Sequence, residues 1–377
     1  MGKSFELGYR RGREAGWENG RLAGRKEGAR NRVEHTTAQA PLRSALIVTP
    51  SVDLPSLEII LLQPFRHLKK LGIYQYEICT EDDIKLDYLK AASIVIYLRT
   101  VEPQAFESLL IAHQLGKETV YVIDDNFLEI PPYTSVSSYY NDAGRRQTFQ
   151  NFLRHASFVK VDSTFFADYI CLYYNPRVVC FQSSVDFELI DNITKPAPSP
   201  TRITIGYGGT QKDEDFSPVV PALLRVLSKY GGYVRLQFHG YIPGALLGQS
   251  FVSYREGQLD YQTYLQNLKR SDWDIGIAPL HESIFNYCKT NNKYREYAAC
   301  LIPGIYSQCP PYTDWVKHGQ NGYLVSNNEE SWFNGLCEMI ENASLREMIK
   351  VQAGAASKQA FQIDLCARNW RQQILHI

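Results

Sequence analysis

Residues 272–307 read DWDIGIAPLHESIFNYCKTNNKYREYAACLIPGIYS. IGIAPL is a short apolar run with the composition of a buried strand. NNKYREYAAC has helical spacing. IPGIYS returns to a β-like apolar run. Strand, helix and strand in that order make a βαβ unit, which places the two strands parallel in one sheet.

The same alternation extends in both directions. Upstream, SALIVTP opens it at Ser44, SLEIILLQPFRHLKKLG is helical, and YQYEICT and ASIVIYLR read as strands. PQAFESLLIAHQLGK is a helix, ETVYVIDDN a strand ending in two aspartates, RRQTFQNFLRHA a helix and SFVKVDS a strand. TKPAPSPTR, residues 194–202, breaks the pattern with prolines and reads as a domain linker. ITIGYGG then restarts it, and the strands VRLQFHGY, WDIGIAPL, IPGIYS and NGYLVSN alternate with helices to the C-terminal LCARNWRQQILHI. The chain is therefore expected to be α/β, with two consecutive doubly wound, Rossmann-like domains. A ligand cleft is expected where the carboxyl ends of their strands face each other.

Composition limits the function classes. The 377 residues carry 40 Lys plus Arg against 40 Asp plus Glu, so no overall basic field for nucleic acid is present. No apolar run approaches the eighteen or so residues of a membrane span, and MGKSFELGYRRG lacks the apolar core of a signal peptide. Eight cysteines without a C-x-x-C pair suggest neither a zinc knuckle nor a disulfide framework. Free thiols in a reducing cytoplasm are the expectation.

The leader, residues 1–43, differs in kind. Gly8, Gly12, Gly16, Gly20, Gly24 and Gly28 recur every four residues. On a helix they form a slowly drifting stripe that allows close approach of a second backbone, although each costs roughly 1 kcal/mol of helix propensity. Through residue 35 nine Lys/Arg face five Asp/Glu. The segment reads either as a disordered basic leader or as a helix that orders against its own copy or an anionic surface, such as the inner membrane face.

Candidate site residues lie where the alternation puts strand ends. IGYGGTQKDEDF sets Gly206, Gly208 and Gly209 after a strand, followed by Thr210, where backbone N–H groups can meet a phosphate; a tight structural turn is the alternative. Asp213, Glu214 and Asp215 read as a solvated helix start. Asp124 and Asp125 end a first-domain strand, where a carboxylate can hold a hydroxylated acceptor or take a proton, or merely form a turn. Asp272 and Asp274 form a D-x-D pair, but they precede their strand and so lie away from the crevice; a structural role is expected and no metal site is assigned. Lys289 and Lys293, four apart, are read as sharing one side of a helix and pointing to an anion. The alternative is a solvated helix on which Glu296 pairs with Lys293.

Residues 272–325 resemble the nucleotide-sugar half of GT-B glycosyltransferases, in particular the retaining group with a glutamate–seven residues–glutamate signature. The matching features are the strand ending in Pro279, the helix around Glu296, the turn at Pro303 and the NGYLV segment at 321–325. IGYGGTQKDEDF resembles the glycine loop of the donor domain, and the helix around Trp370 the C-terminal helix that crosses back. The resemblance spans most of residues 44–377 and implies a GT-B fold. Its parts are an acceptor domain at 44–193, a linker at 194–202, a nucleotide-sugar domain at 203–358 and a crossing helix at 359–377.

It also implies roles. Glu296 would hold the donor ribose, Lys289 and Lys293 would face the diphosphate in the FN..K....K..EY branch, and Asn286, Gly208, Gly209 and Thr210 would complete the donor site. Lys289, Lys293 and Asp124 would carry catalysis. Two positions depart from the group: Cys288 stands where the first glutamate falls, and Cys300 and Leu301 stand where a glycine is usual. The implied activity is transfer of a sugar from a nucleotide-diphosphate sugar to a hydroxyl acceptor, with retention and without metal or other cofactor, in polysaccharide or glycoconjugate synthesis. The implied location is cytoplasmic. A catalytically silent GT-B module that binds sugar nucleotide or glycan, and a sugar-nucleotide epimerase of the same fold, are the alternatives.

Overall fold

The computed structural model describes residues 43–134, 136–258 and 260–377. The glycine stripe and its expected associations lie outside the described residues.

Among the described residues twelve strands form two sheets. The first holds β1 (Ser44–Thr49), β2 (Gln75–Thr80), β3 (Ile94–Leu98), β4 (Glu118–Val122), β5 (Phe158–Val161) and β6 (Val178–Cys180), in the order β2-β1-β3-β4-β5-β6. The second holds β7 (Ile203–Gly208), β8 (Val234–His239), β9 (Val252–Arg255), β10 (Ile275–Ala278), β11 (Gly304–Ser307) and β12 (Tyr323–Val325), in the order β12-β11-β10-β7-β8-β9. All pairings are parallel. Strands β3, β7, β10 and β11 are buried along their whole length. That is why they read as unbroken apolar runs: helices cover both faces of a parallel sheet. The order reverses between β1 and β3 and again between β7 and β10, and these reversals open the crevices at the strand carboxyl ends.

The two sheets share a core. One buried cluster runs from Ile47, Phe65 and Ile96 of the first half to Trp273, Tyr297 and Tyr306 of the second. The helix Ile363–Trp370 returns to pack on the helix Gln63–Lys70 of the first half. There Trp370 sits edge-on to Phe65 and Phe181, at centroid distances of 5.2 and 5.6 Å. The Val185 N–H donates to Phe361 O at 2.8 Å, tying the return to the first half.

The helix Asn292–Ala299 starts later than the lysine spacing implied. Lys289 lies in the connection between the short helix Ile284–Tyr287 and this one, so only Lys293 is helical. Asn291 holds the N-cap position, with φ −79° and ψ 30° and no capping bond from its side chain. At the other end Leu301 adopts φ 58°, the left-handed cap that glycine takes most easily. It is one of the two positions, with Cys300, where the sequence departs from the glycine usual in the resembling group. The leucine side chain lies over Gly354, where a Cβ would come within 2.7 Å of Leu301 Cδ2.

Candidate active site

A cleft of about 1340 Å³ opens between the two sheets. Its first wall carries Ser56, Asp124 and Asp125, and its second Gly209, Thr210, Lys212, Lys289, Lys293 and Glu296. The structure thus brings together most of the residues singled out in the sequence. Of the residues assigned to catalysis or to the donor, two stand apart: Gly208 is buried at the end of β7 and Asn286 is 2% exposed, and neither lines the cleft.

The second wall is built on the β7 exit. Gly209 N–H donates to His239 O at 3.0 Å, which lays the loop across the end of β8. Gly240 follows with φ 85°, and a Cβ there would lie 2.6 Å from Gly209 O. Only glycine lets these two loops touch. Beside them Lys293 Nζ donates to Glu296 Oε2 at 2.8 Å and to Tyr264 OH at 3.0 Å, while Tyr264 OH donates to Glu296 Oε2 at 2.9 Å. Glu296 is 3% exposed, and both partners take the same oxygen, Oε2. Burial above all, and then the Glu296 carboxylate, push the Tyr264 hydroxyl well above its ordinary range, so it stays a donor.

Within the acidic run after the glycine loop, Asp213 and Glu214 are exposed at a helix start as expected, but Asp215 departs. Asp215 turns inward, 5% exposed. It accepts from Lys212 Nζ at 2.7 Å, from the His281 N–H at 2.8 Å, and from Asn286 Nδ2 at 2.8 Å; His281 Nδ1 lies 2.7 Å away. Burial would raise the Asp215 carboxyl, yet Lys212 and the His281 contacts overcome it and hold the group far below the ordinary carboxylate range. Burial pushes Lys212 down, and Asp215 opposes it. Asn286 therefore braces Asp215 and the His281 loop behind the wall.

On the first wall Arg99 organises both aspartates. It leaves β3 with φ 56°, an uncommon conformation outside glycine. Its Nε pairs with Asp124 Oδ1 at 3.2 Å, its Nη2 with Asp125 Oδ2 at 3.1 Å, and its Nη1 donates to Ser56 Oγ at 3.0 Å. Ser56 Oγ in turn donates to Asp124 Oδ2 at 2.6 Å. The neighbours now part ways. Burial, only partly offset by Arg99, raises Asp124. Burial also acts on Asp125, but Lys289 and Arg99 outweigh it and lower that carboxyl. Lys289 Nζ reaches Asp125 Oδ1 at 2.8 Å, joining the two walls.

Below this contact a second ion cluster ties the halves. Arg295, 1% exposed, places Nη1 3.5 Å from Asp162 Oδ2 and 3.2 Å from Ser183 O, and Asp162 also pairs with the buried Lys160. Cys288 is fully buried in the core of the first half, with Asn126 Nδ2 3.5 Å from its sulfur. Burial pushes its thiol up to about 12, so it is an inert packing group. Asp272 pairs with Arg235, and Asp274 accepts from Thr204 N–H at 2.8 Å. Among the described residues no group of three His, Cys, Asp or Glu side chains is arranged to hold a metal ion.

Sequence reasoning missed Arg99, Ser56, Tyr264 and His281. Arg99 and His281 carried a usable signal, since each closely follows an apolar strand run, IVIYLR and IAPLH. Ser56 and Tyr264 carried none, because their partners lie 68 and 32 residues away.

No family model matches the chain, and a search of curated proteins finds no match. Solved structures do resemble it. HepE from Anabaena, in complex with UDP-glucose, aligns with a TM-score of 0.63 at 15% identity, over 88% of this chain and 100% of that one. A glycosyltransferase from Rickettsia africae aligns with a TM-score of 0.64 at 14% identity, over 89% and 99%. Sucrose-phosphate synthase from Thermosynechococcus elongatus aligns with a TM-score of 0.64 at 12% identity, over 89% and 99%. At such identities the likeness concerns the fold: the chain has the GT-B arrangement of two Rossmann-like domains facing a cleft.

Proposed function

We propose that the protein is a glycosyltransferase that moves a sugar from a nucleotide-diphosphate sugar to a hydroxyl acceptor. The observation that carries this reading is the convergence of Lys289, Lys293, Glu296 and the Gly209–Thr210 loop on the β7/β10 crevice, opposite the Asp124–Asp125 wall. Lysines and backbone N–H groups suit the diphosphate. Glu296, fixed by Tyr264, suits ribose hydroxyls. In the reaction the acceptor oxygen bonds to the anomeric carbon, and the bond from that carbon to the diphosphate breaks. Its electron pair leaves on the diphosphate oxygen, and the acceptor proton ends there. Charge growing on the leaving group is what positioned cations stabilise. HepE, bound to UDP-glucose in its structure, lends the donor class support by its fold.

The resemblance adds retention, independence of metal, and a place in polysaccharide or glycoconjugate synthesis on the cytoplasmic side. Among the described residues no helix is long and apolar enough to cross a membrane. The glycine-striped leader would supply self-association or peripheral contact with the inner membrane face. Cys288, buried where the resembling group has a glutamate, favours a second reading: a module that binds sugar nucleotide without turning it over. Incubation with a panel of nucleotide sugars and sugar acceptors separates the two. Release of nucleoside diphosphate together with a glycosylated product supports transfer. Binding without release supports the silent module.

A further inference from the structure

The two aspartates on the first wall have different freedom. Asp124 is enclosed by Ser56 and Arg99, and its side chain is 10% exposed. Asp125 leans on Arg99 through Oδ2 and turns Oδ1 to the cleft, where Lys289 covers it. Lys289 and Asp125 are both about one-fifth exposed, so the ion pair between them stands open to an incoming ligand. Apart from Asp125, Lys289 touches the face of Phe285, with Nζ 4.0 Å from the ring centroid.

This pair sets two ligands in competition. A diphosphate offers a lysine more charge and more acceptor oxygens than one carboxylate does. Once Lys289 turns to it, Asp125 keeps Arg99 on Oδ2, with Lys212 as the next cation acting on it. Its Oδ1 is left bare towards the space between the walls, where a hydroxyl donor fits.

We propose that Asp125 is the acceptor-binding carboxylate of this cleft, and that Lys289 masks it until the donor diphosphate draws the lysine away. The acceptor hydroxyl then donates its hydrogen bond to Asp125, so donor binding precedes productive acceptor binding. This rests on the reading of the cleft as a nucleotide-sugar site. The catalytic carboxylate expected from the sequence was Asp124; its enclosure by Ser56 and Arg99 leaves it to support Arg99, a positioning role.

The test is calorimetric titration of the full chain and of Asp125→Asn, Lys289→Met, Lys293→Met and the Asp125→Asn/Lys289→Met double variant with UDP, GDP and ADP. Asp125→Asn should bind the diphosphate about fivefold tighter, as expected for release from a partly exposed ion pair. The double variant should gain nothing over Lys289→Met. With the matching nucleotide sugar and a panel of sugar acceptors, Asp125→Asn should lower kcat about tenfold or more while donor KM falls, a split that a merely structural role would not give. Unchanged or weaker diphosphate binding by Asp125→Asn overturns the masking. Tighter binding with unchanged kcat overturns the acceptor role. If Lys289→Met and Lys293→Met leave diphosphate binding unaltered, the donor reading falls and this inference falls with it. Lys289→Gln repeats the unmasking from the other wall: it should raise acceptor affinity without donor, and failure to do so counts against the mask.

Discussion

Lys293 Nζ and Glu296 Oε2 lie 2.8 Å apart on one helical turn, and Tyr264 OH touches both. The lysine keeps 19% of its side chain exposed and the glutamate 4%; both partners of the carboxylate take Oε2, and both residues line the cleft. Glu296→Gln keeps the shape and removes the charge. It should weaken nucleoside binding by about 1.5–3 kcal/mol, the scale of a charge-assisted hydrogen bond, while pyrophosphate binding holds or improves as Lys293 is released. Calorimetry with a nucleoside and with pyrophosphate reads the two separately. Equal losses for both would reduce Glu296 to a structural partner of Lys293.

Arg295 bridges the halves from within, and Asp162 balances it together with Lys160. Removing one member of a buried ion cluster leaves charge uncompensated and typically costs about 3–5 kcal/mol. Asp162→Asn, which leaves Arg295 and the buried Lys160 without their counter-charge, should lower the unfolding free energy by that scale. Arg295→Met leaves the Lys160–Asp162 pair in place and should cost less. A loss under about 1 kcal/mol for Asp162→Asn would mean that the halves are held by the shared apolar core alone.

Glu81, 6% exposed at the exit of β2, has its carboxyl raised from 4.5 to about 7, by burial first and then by Glu102 and Asp82. A carboxyl raised in the folded state binds more protons than in the unfolded chain. Its contribution therefore favours folding at acid pH and is lost as pH climbs from about 4.5 to about 7. Glu81→Gln should flatten the stability profile in that window and stabilise the protein at neutral pH. A variant whose profile parallels the parent's would show that Glu81 is ordinarily ionised.

Asp272 and Asp274 are committed to Arg235 and to the Thr204 N–H. Donor binding and turnover should therefore withstand excess EDTA, and Asp272→Asn should leave both unchanged. Loss of turnover in EDTA, restored by manganese or magnesium, would contradict this.

The fold was legible because both sheets are parallel and doubly covered, so their strands stand out as apolar runs between helical segments. The site was legible where a strand end marks it, as at Asp124, Asp125 and Gly209. It failed where long-range partners decide. Asp215 looks like its exposed neighbours Asp213 and Glu214 until His281, 66 residues away, and Asn286, 71 away, close on it. Lys289 failed for a local reason, since spacing alone cannot show that the helix begins only at Asn292.

Whether Lys289 and Lys293 receive a diphosphate is decided by titrating the parent, Lys289→Ala and Lys293→Ala with a nucleoside diphosphate and with the bare nucleoside. Each substitution should cost about 1.5–3 kcal/mol of diphosphate affinity and far less for the nucleoside. Equal losses for the two ligands, or none for either, would contradict the account.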